Sequence, residues 1–359
     1  MSKKIKVGLL FGGRSAEHQV SLQSAKSIMA AIDNDKYEVV KIGITSDGKW
    51  LLNESAETFI NGDDPETISL QTEALPVTLV AGDQSGELQC LEAEAAGNQL
   101  DVLFPILHGP YGEDGSVQGL AKLANIPCVG SGILSSAVGM DKDFTKRILM
   151  QAGIDVADFI TLRDSRFSEA DLQRIEDRFS YPVFVKPANM GSSIGVSKAA
   201  NRSELAAAID LAFRFDRKLL VEKGIVGREL ECAVLGNDFP EASVVGEIIS
   251  NVSFYDYKAK YIDENGATLS LPAKVSDSLL EKIQQTSIAV FEALECRGLA
   301  RVDMFVTDDE QIIINEVNTL PGFTKISMYP KLWEASGLSY SDLIDRLISL
   351  AIEDFQGQR

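Results

Sequence analysis

Apolar positions along the chain fall into short blocks whose spacing alternates between the strand and the helix period. Residues 5–11 read as a buried strand running into Gly12-Gly13, a helix follows over about 21–32, and Tyr37–Thr45 reads as a second strand. Leu100–Leu107 repeats the strand pattern, ends in His108-Gly109, and leads to a helical stretch at 116–125. Strand alternating with helix predicts an α/β class with a parallel sheet covered on its faces. Residues 53–98, by contrast, are acidic, glycine-containing and irregular, and read as short strands and loops.

A new unit starts near Met140-Asp141-Lys142, which opens a helix that stops at Gly153. Strands at 182–187 and 194–199 flank a glycine turn, and a helix at 203–215 and a strand at 218–222 come next. Long strands at 228–235 and 242–250 predict a larger antiparallel sheet. They are followed by a Tyr/Lys-rich loop at 251–272, an amphipathic helix over 276–296, a hairpin at 299–318 and two C-terminal helices. No internal repeat is present. At 359 residues the chain exceeds what one core organises, so two or three domains are expected.

The formal charge of −19 makes nucleic acid and anionic membrane surfaces poor partners, although local lysines can still dominate the field inside a cleft. No 18-residue apolar stretch exists, so no transmembrane helix is expected, and the first residues hold too short an apolar run for a signal peptide. Cys90, Cys128, Cys232 and Cys296 are scattered, and His18 and His108 are the only histidines, which argues against a zinc site. Free thiols fit a reducing cytoplasm.

Two motif matches fail on context. Gly43 to Lys49 has P-loop spacing, but Trp50 stands where a hydroxyl should meet magnesium, so Ser46-Asp47-Gly48 reads as a turn. Gly191-Ser-Ser-Ile-Gly195 fits a nucleophile elbow, yet a strand follows it and both histidines lie upstream.

Four constellations carry more weight. In Val183-Phe-Val-Lys186-Pro187 followed by Gly191-Ser192-Ser193-Ile-Gly195, a buried strand delivers a lysine to a small-residue loop. Such a loop suits a lid over phosphates, or else a polar hairpin with a surface lysine. In Leu220-Val-Glu222-Lys223-Gly-Ile225-Val-Gly-Arg-Glu229 a strand ends in charged groups able to accept from an amino group or a ribose; a salt-bridged strand end is the alternative. In the 299–318 hairpin, a two- or four-residue turn at Asp308-Asp309 pairs 301 with 316 and 303 with 314. That places Arg301, Asp303, Glu316 and Asn318 on one face. Carboxylates beside apolar positions are costly to desolvate without a cation, and all-oxygen donors suit Mg²⁺; a solvated sheet face on which Arg301 neutralises the acids is the alternative. Finally, His108-Gly-Pro-Tyr-Gly-Glu-Asp-Gly115-Ser116 and Glu17-His18 follow strand ends, where open α/β sheets bind ligands; turns and helix caps would also account for these loops.

Together these segments resemble the D-alanine–D-alanine ligases of the ATP-grasp superfamily, from Phe11-Gly-Gly-Arg-Ser-Ala-Glu17 to Met328-Tyr-Pro-Lys-Leu-Trp333. His108 to Gly119 looks like one family signature. Arg301-Val-Asp303 with Asn315-Glu316-Val-Asn318-Thr-Leu-Pro-Gly322 looks like the other. The resemblance implies a three-domain ATP-grasp fold. Residues 1–139 would form a Rossmann-like substrate-binding domain, 140–225 a central subdomain with the glycine-rich lid, and 226–359 a C-terminal subdomain with the metal site and a mobile loop at 251–272. It further implies that ATP contacts Lys142, Lys186, Ser193, Glu222, Lys223, Ile225, Glu229 and Lys260. Asp303, Glu316 and Asn318 would bind two Mg²⁺, with Mn²⁺ as a substitute. Glu17, tied to Ser192 and Tyr261, would take the first D-alanine's ammonium, while Ser327, Met328 and His108 would help hold substrate. Arg301 and the Gly322 N–H would form an oxyanion hole. The implied activity is ATP-dependent formation of D-alanyl-D-alanine through an acyl phosphate, for peptidoglycan precursors, in a cytoplasmic homodimer. Another ATP-grasp carboxylate–amine ligase or a non-catalytic binding module are the rival readings.

Overall fold

A computed structural model describes residues 3–53, 58–62, 64–82, 86–92, 98–164, 167–250 and 267–357. Ile5–Gly12 is the second strand from one edge of a seven-stranded sheet, parallel to Tyr37–Ile44 on one side and to the edge strand Val102–Pro105 on the other. Its apolar run is buried on both faces, as parallel strands require. The irregular stretch after Ile44 extends this sheet in antiparallel fashion through Trp50–Leu52, Leu75–Leu79, Glu87–Cys90 and Asn98–Gln99. The P-loop-like segment is the turn joining Tyr37–Ile44 to Trp50–Leu52, closed by the Thr45 N–H on the Lys49 carbonyl.

The helix expected at 21–32 runs over His18–Ala31, and the strand expected at 100–107 shortens to Val102–Pro105. A helix at Ile133–Met140 stands where none is expected; its small-residue sequence carries no periodic stripe. It runs almost directly into Lys142–Gln151, separated by Asp141, whose side chain accepts from the Asp143 and Phe144 N–H groups as an N-cap.

A four-stranded antiparallel sheet follows in the order Phe159–Arg163, Lys218–Lys223, Val183–Pro187, Ser197–Ala199. Val183, Val185, Leu219 and Val221 point to a core shared with helices Glu169–Arg178 and Arg202–Ala212. Alternation therefore sends Lys186 and Glu222 to the opposite face. Residues 194–196, expected as strand, form turns instead, and the strand starts at Ser197.

The five-stranded antiparallel sheet is ordered Ala267–Ser270, Glu241–Ser250, Arg228–Gly236, Gly298–Val306, Ile312–Asn318. One face (Leu230, Cys232, Ala300, Val302, Met304, Ile314) packs on helix Asp277–Ala293. Part of the other (Ala233, Leu235, Leu299) joins the core beneath the N-terminal sheet, where helices Met328–Ala335 and Tyr340–Gly357 meet Val7, Leu9 and Phe104. Of the loop expected at 251–272, residues 267–270 are an edge strand rather than loop, and 251–266 lie outside the described residues. Among the described residues, no helix is long and apolar enough to cross a membrane.

Candidate active site

The N-terminal part of the site is built where Ile5–Gly12 and Val102–Pro105 end. Ser21 staples the two exits: its Oγ accepts from the Gly12 N–H at 2.7 Å and its hydroxyl donates to the Ile106 carbonyl. Gly12 holds φ +91°, and a Cβ there would stand 2.2 Å from the Ile44 carbonyl oxygen, so this exit accepts glycine alone. Glu17, buried, lies beyond it and accepts from the Ser192 hydroxyl of the glycine-rich loop. Both ring nitrogens of His108 are engaged: Nδ1 by the Leu320 carbonyl at 3.1 Å and Nε2 by Ser24 Oγ at 3.3 Å. A carbonyl can only accept, so Nδ1 carries the proton of a neutral ring, and burial pushes the pKa of His108 down. His108 therefore braces the N-terminal sheet against residues 320–323. Glu113 is a group the sequence reading passed over. Its carboxyl accepts from the Gly109 N–H at 2.6 Å, and burial, helped by the nearby Glu17 charge, pushes its pKa up to about 8.

On the polar face of the four-stranded sheet, Glu222 sits between two lysines. Lys186 Nζ lies 2.9 Å from one carboxylate oxygen and Lys146 Nζ 3.2 Å from the other. Lys146, with 1% of its side chain exposed, was also missed; it stands one helical turn after Lys142 and points to the same face. Burial lowers Lys146 despite Glu222. At Lys186 the carboxylates outweigh burial and hold the pKa up, and at Glu222 the two lysines outweigh burial and hold it down. Lys186 also donates to Asn315 Oδ1 at 2.9 Å, joining this sheet to the 298–318 hairpin. Lys142 donates to the Met190 carbonyl at 2.8 Å and lies 3.4 Å from Glu316. The backbone of the glycine-rich loop is unusual: Ser192 and Ser193 have positive φ (49° and 59°), strain of the kind found at binding loops, while Gly195 adopts its 71° freely.

The hairpin departs from the expected register. Its turn has three residues, Asp308-Asp309-Glu310, closed by the Thr307 N–H on the Gln311 carbonyl, with Glu310 at φ 60°. Val306 thus pairs with Ile312 and Met304 with Ile314, but Asp303 pairs with Glu316 and Arg301 with Asn318. Asn315 is the extra residue of a β-bulge. Unbulged, Asp303 would face Asn315, and Glu316 would turn into the core with Val302; the bulge brings Glu316 round to Asp303. The expected shared face of Arg301, Asp303, Glu316 and Asn318 is present, though by a different pairing. Arg301 grips Asp303 with Nε and Nη2, both at 2.7 Å, and Asn318 Nδ2 donates to Asp303 at 3.0 Å, which leaves Oδ1 as the amide's acceptor end. Among the described residues no three carboxylate, imidazole or thiolate side chains gather as a metal cluster. Two carboxylates and an amide oxygen make instead a partial, all-oxygen site of the kind Mg²⁺ completes with phosphate oxygens and water.

Ser327 precedes the helix Met328–Ala335 without a side-chain capping bond and accepts from the Thr324 N–H at 2.9 Å; a Cβ on Gly322 would lie 2.8 Å from its hydroxyl. Met328 is buried beside Gly246, so what it offers a ligand is its backbone N–H. Lys223 is exposed and Ile225 and Glu229 are half-buried beyond the end of Lys218–Lys223. Lys260 and Tyr261 lie outside the described residues. A cavity of about 210 Å³ opens beside the loops that follow Ile5–Gly12 and Val102–Pro105, lined by Arg14, Trp50, His108 and Tyr111.

Residues 6–131 match the family described as D-ala D-ala ligase N-terminus and residues 148–349 that described as D-ala D-ala ligase C-terminus. The chain is 53% identical to a D-alanine–D-alanine ligase of Shouchella clausii, across 98% of this chain and 96% of the relative. It is 50% identical to D-alanine–D-alanine ligase A of Escherichia coli over the same shares. Among solved structures it superposes on the D-alanine–D-alanine ligase of Coxiella burnetii with a TM-score of 0.86 and 40% identity, covering 99% of this chain and 96% of that one. VanG D-Ala:D-Ser ligase of Enterococcus faecalis gives 0.86 and 38%, covering 97% and 100%. The Bacillus anthracis D-alanine–D-alanine ligase complexed with ATP gives 0.74 and 31%, covering all of both chains. On this evidence the chain belongs to the D-alanine–D-alanine ligase family.

Proposed function

We propose that this enzyme joins two D-alanines into D-alanyl-D-alanine at the expense of ATP, for peptidoglycan precursors. The observation that carries the reading is the Lys186–Asn315 contact, which joins the lysine-bearing face of the four-stranded sheet to the acidic hairpin, in a chain whose Ser192 loop also meets Glu17. Likeness to a ligase solved with ATP supports ATP as the co-substrate.

A carboxylate is a poor electrophile. In our reading the first D-alanine, its ammonium on Glu17, attacks the γ-phosphorus through its carboxylate oxygen, giving D-alanyl phosphate and ADP. The amine of the second D-alanine, deprotonated, then attacks the acyl carbon; the tetrahedral oxyanion collapses and phosphate leaves. Positioning and charge stabilisation supply most of the acceleration. Lys142 and Lys186 hold ATP phosphates, with Ser193 from the glycine-rich segment and Lys260, which lies outside the described residues. Glu222, Lys223, Ile225 and Glu229 line the adenosine end. Arg301 and the Gly322 N–H receive the oxyanion, and Ser327 with the Met328 N–H holds the second carboxylate. Two Mg²⁺, or Mn²⁺ in their place, held by Asp303, Glu316 and Asn318, would neutralise phosphoryl charge. Residues 1–139 form the substrate-binding domain, and 140–225 and 226–359 the two halves that grip nucleotide; the enzyme works as a cytoplasmic homodimer.

The test is phosphate release with ATP, Mg²⁺ and D-alanine, with the product weighed by mass spectrometry. D-alanyl-D-alanine should form with D-alanine and not with L-alanine. Preferential coupling to D-serine or D-lactate as second substrate would overturn the assignment while keeping the fold.

A further inference from the structure

Glu231 has no part in the roles above. It sits on Arg228–Gly236 directly across from Asp303, buried, on the strand that carries neither of the carboxylates assigned to the metal. Its Oε2 lies 3.0 Å from Arg301 Nε. That nitrogen carries a single proton, which it donates to Asp303 Oδ1 at 2.7 Å while Nη2 donates to Oδ2 at the same distance. Two carboxylates thus stand within 3.0 Å of one nitrogen, whose N–H points at Asp303 while Glu231 Oε2 accepts no hydrogen bond from a described residue.

Asp303 is heavily committed. Besides the guanidinium, Asn318 donates to its Oδ2 at 3.0 Å, so at least three of the roughly four lone-pair sites of a carboxylate are taken. A divalent cation at Asp303 has at most one of those sites open to it. It would also stand a few ångströms from a guanidinium in a poorly screened setting, where like charges repel strongly. Arg301 must then loosen its hold on Asp303, and Glu231 is the carboxylate already against its Nε.

We propose that Glu231 is the positioning residue for Arg301. It takes over the guanidinium as Asp303 turns to the cation, so that metal binding and the placing of the oxyanion donor are one event. This rests on the roles proposed above for Asp303 and Arg301. The required movement is small because Nε touches both carboxylates at the start.

The test is Mn²⁺ binding to the intact enzyme with ADP, without turnover, read from the electron paramagnetic resonance of free Mn²⁺. It is run for wild type, Glu231→Gln, Arg301→Ala and the double variant. Glu231→Gln should weaken Mn²⁺ about tenfold against wild type and have no effect in the Arg301→Ala background, where no guanidinium needs rehousing. Should Glu231→Gln not fold, Glu231→Asp takes its place in the same cycle. An equal loss in both backgrounds would make Glu231 merely a nearby negative charge and overturn the proposal, as would unchanged binding in the single variant. Wild type that binds no Mn²⁺ would overturn the metal reading and this inference with it, and is told apart because it appears before any substitution is made.

Discussion

Ser192 donates its hydroxyl to Glu17, a residue 175 positions earlier, and so fastens the glycine-rich lid to the loop after the first strand. The two loops follow strands of different sheets, and Ser192 reaches across from a left-handed backbone conformation that a serine rarely adopts. Ser192→Ala should raise KM for the first D-alanine about tenfold, since a hydrogen bond to a charged group contributes about 1.5–3 kcal/mol, with KM for ATP little changed. Equal rises in both constants, from steady-state kinetics, would show that the lid rather than Glu17 was disturbed.

Arg301→Ala removes the side chain that grips Asp303 with two hydrogen bonds and that we propose as an oxyanion donor. Turnover should fall by about 10²–10³, the usual effect of losing one oxyanion donor. ATP affinity, measured by equilibrium dialysis with a non-hydrolysable analogue, should stay close to wild type. Parallel loss of affinity would make Arg301 structural.

The Glu113 carboxyl titrates near 8 in the folded protein against an ordinary value of 4.5. Between those values the folded state holds a proton that the unfolded chain has released, so stability from this group falls as pH rises from about 4.5 to about 8 and is level outside that window. Glu113→Gln stays neutral throughout and should lack this fall. A stability difference between wild type and variant that is constant from about pH 5 to pH 9, by urea unfolding, would contradict the burial argument.

Lys146→Met removes one of the two cations flanking Glu222. The loss should be about 3 kcal/mol, at the low end for orphaning a buried charge because Lys186 remains. Adding Glu222→Gln should restore part of it, since the carboxylate charge is then gone as well. A double variant less stable than either single one, by denaturant titration, would show that the triad is held by packing instead.

Much of the fold was legible because strand and helix periods are properties of the local sequence. Val183-Phe-Val-Lys186 and Leu220-Val-Glu222 declared their inward and outward positions, and alternation alone placed Lys186 and Glu222 on one face. The hairpin register was not legible, because it depends on Glu310 entering a left-handed conformation and on a bulge at Asn315, neither of which has a period. Lys146 was missed because a lysine four residues after another on a helix reads as a solvated stripe, until a second sheet is laid against it. Glu231 had a usable signal: in Arg228-Glu-Leu-Glu-Cys-Ala-Val it alternates with buried positions and shares the face of Glu229, a pattern not followed inward from the strand end. Burial of Glu113 beside Glu17 depends on two loops meeting, which no stretch of sequence encodes by itself.

The bulge at Asn315 makes the chemistry of the hairpin depend on a length count. Parity decides which side chains look into the cleft. Deleting one residue from the exposed Asp308-Asp309-Glu310 tip, or inserting one there, leaves every ligand in the chain yet favours a pairing in which Glu316 and Asp303 face opposite ways. A stretch that touches no substrate is therefore no freer to drift in length than the cleft itself.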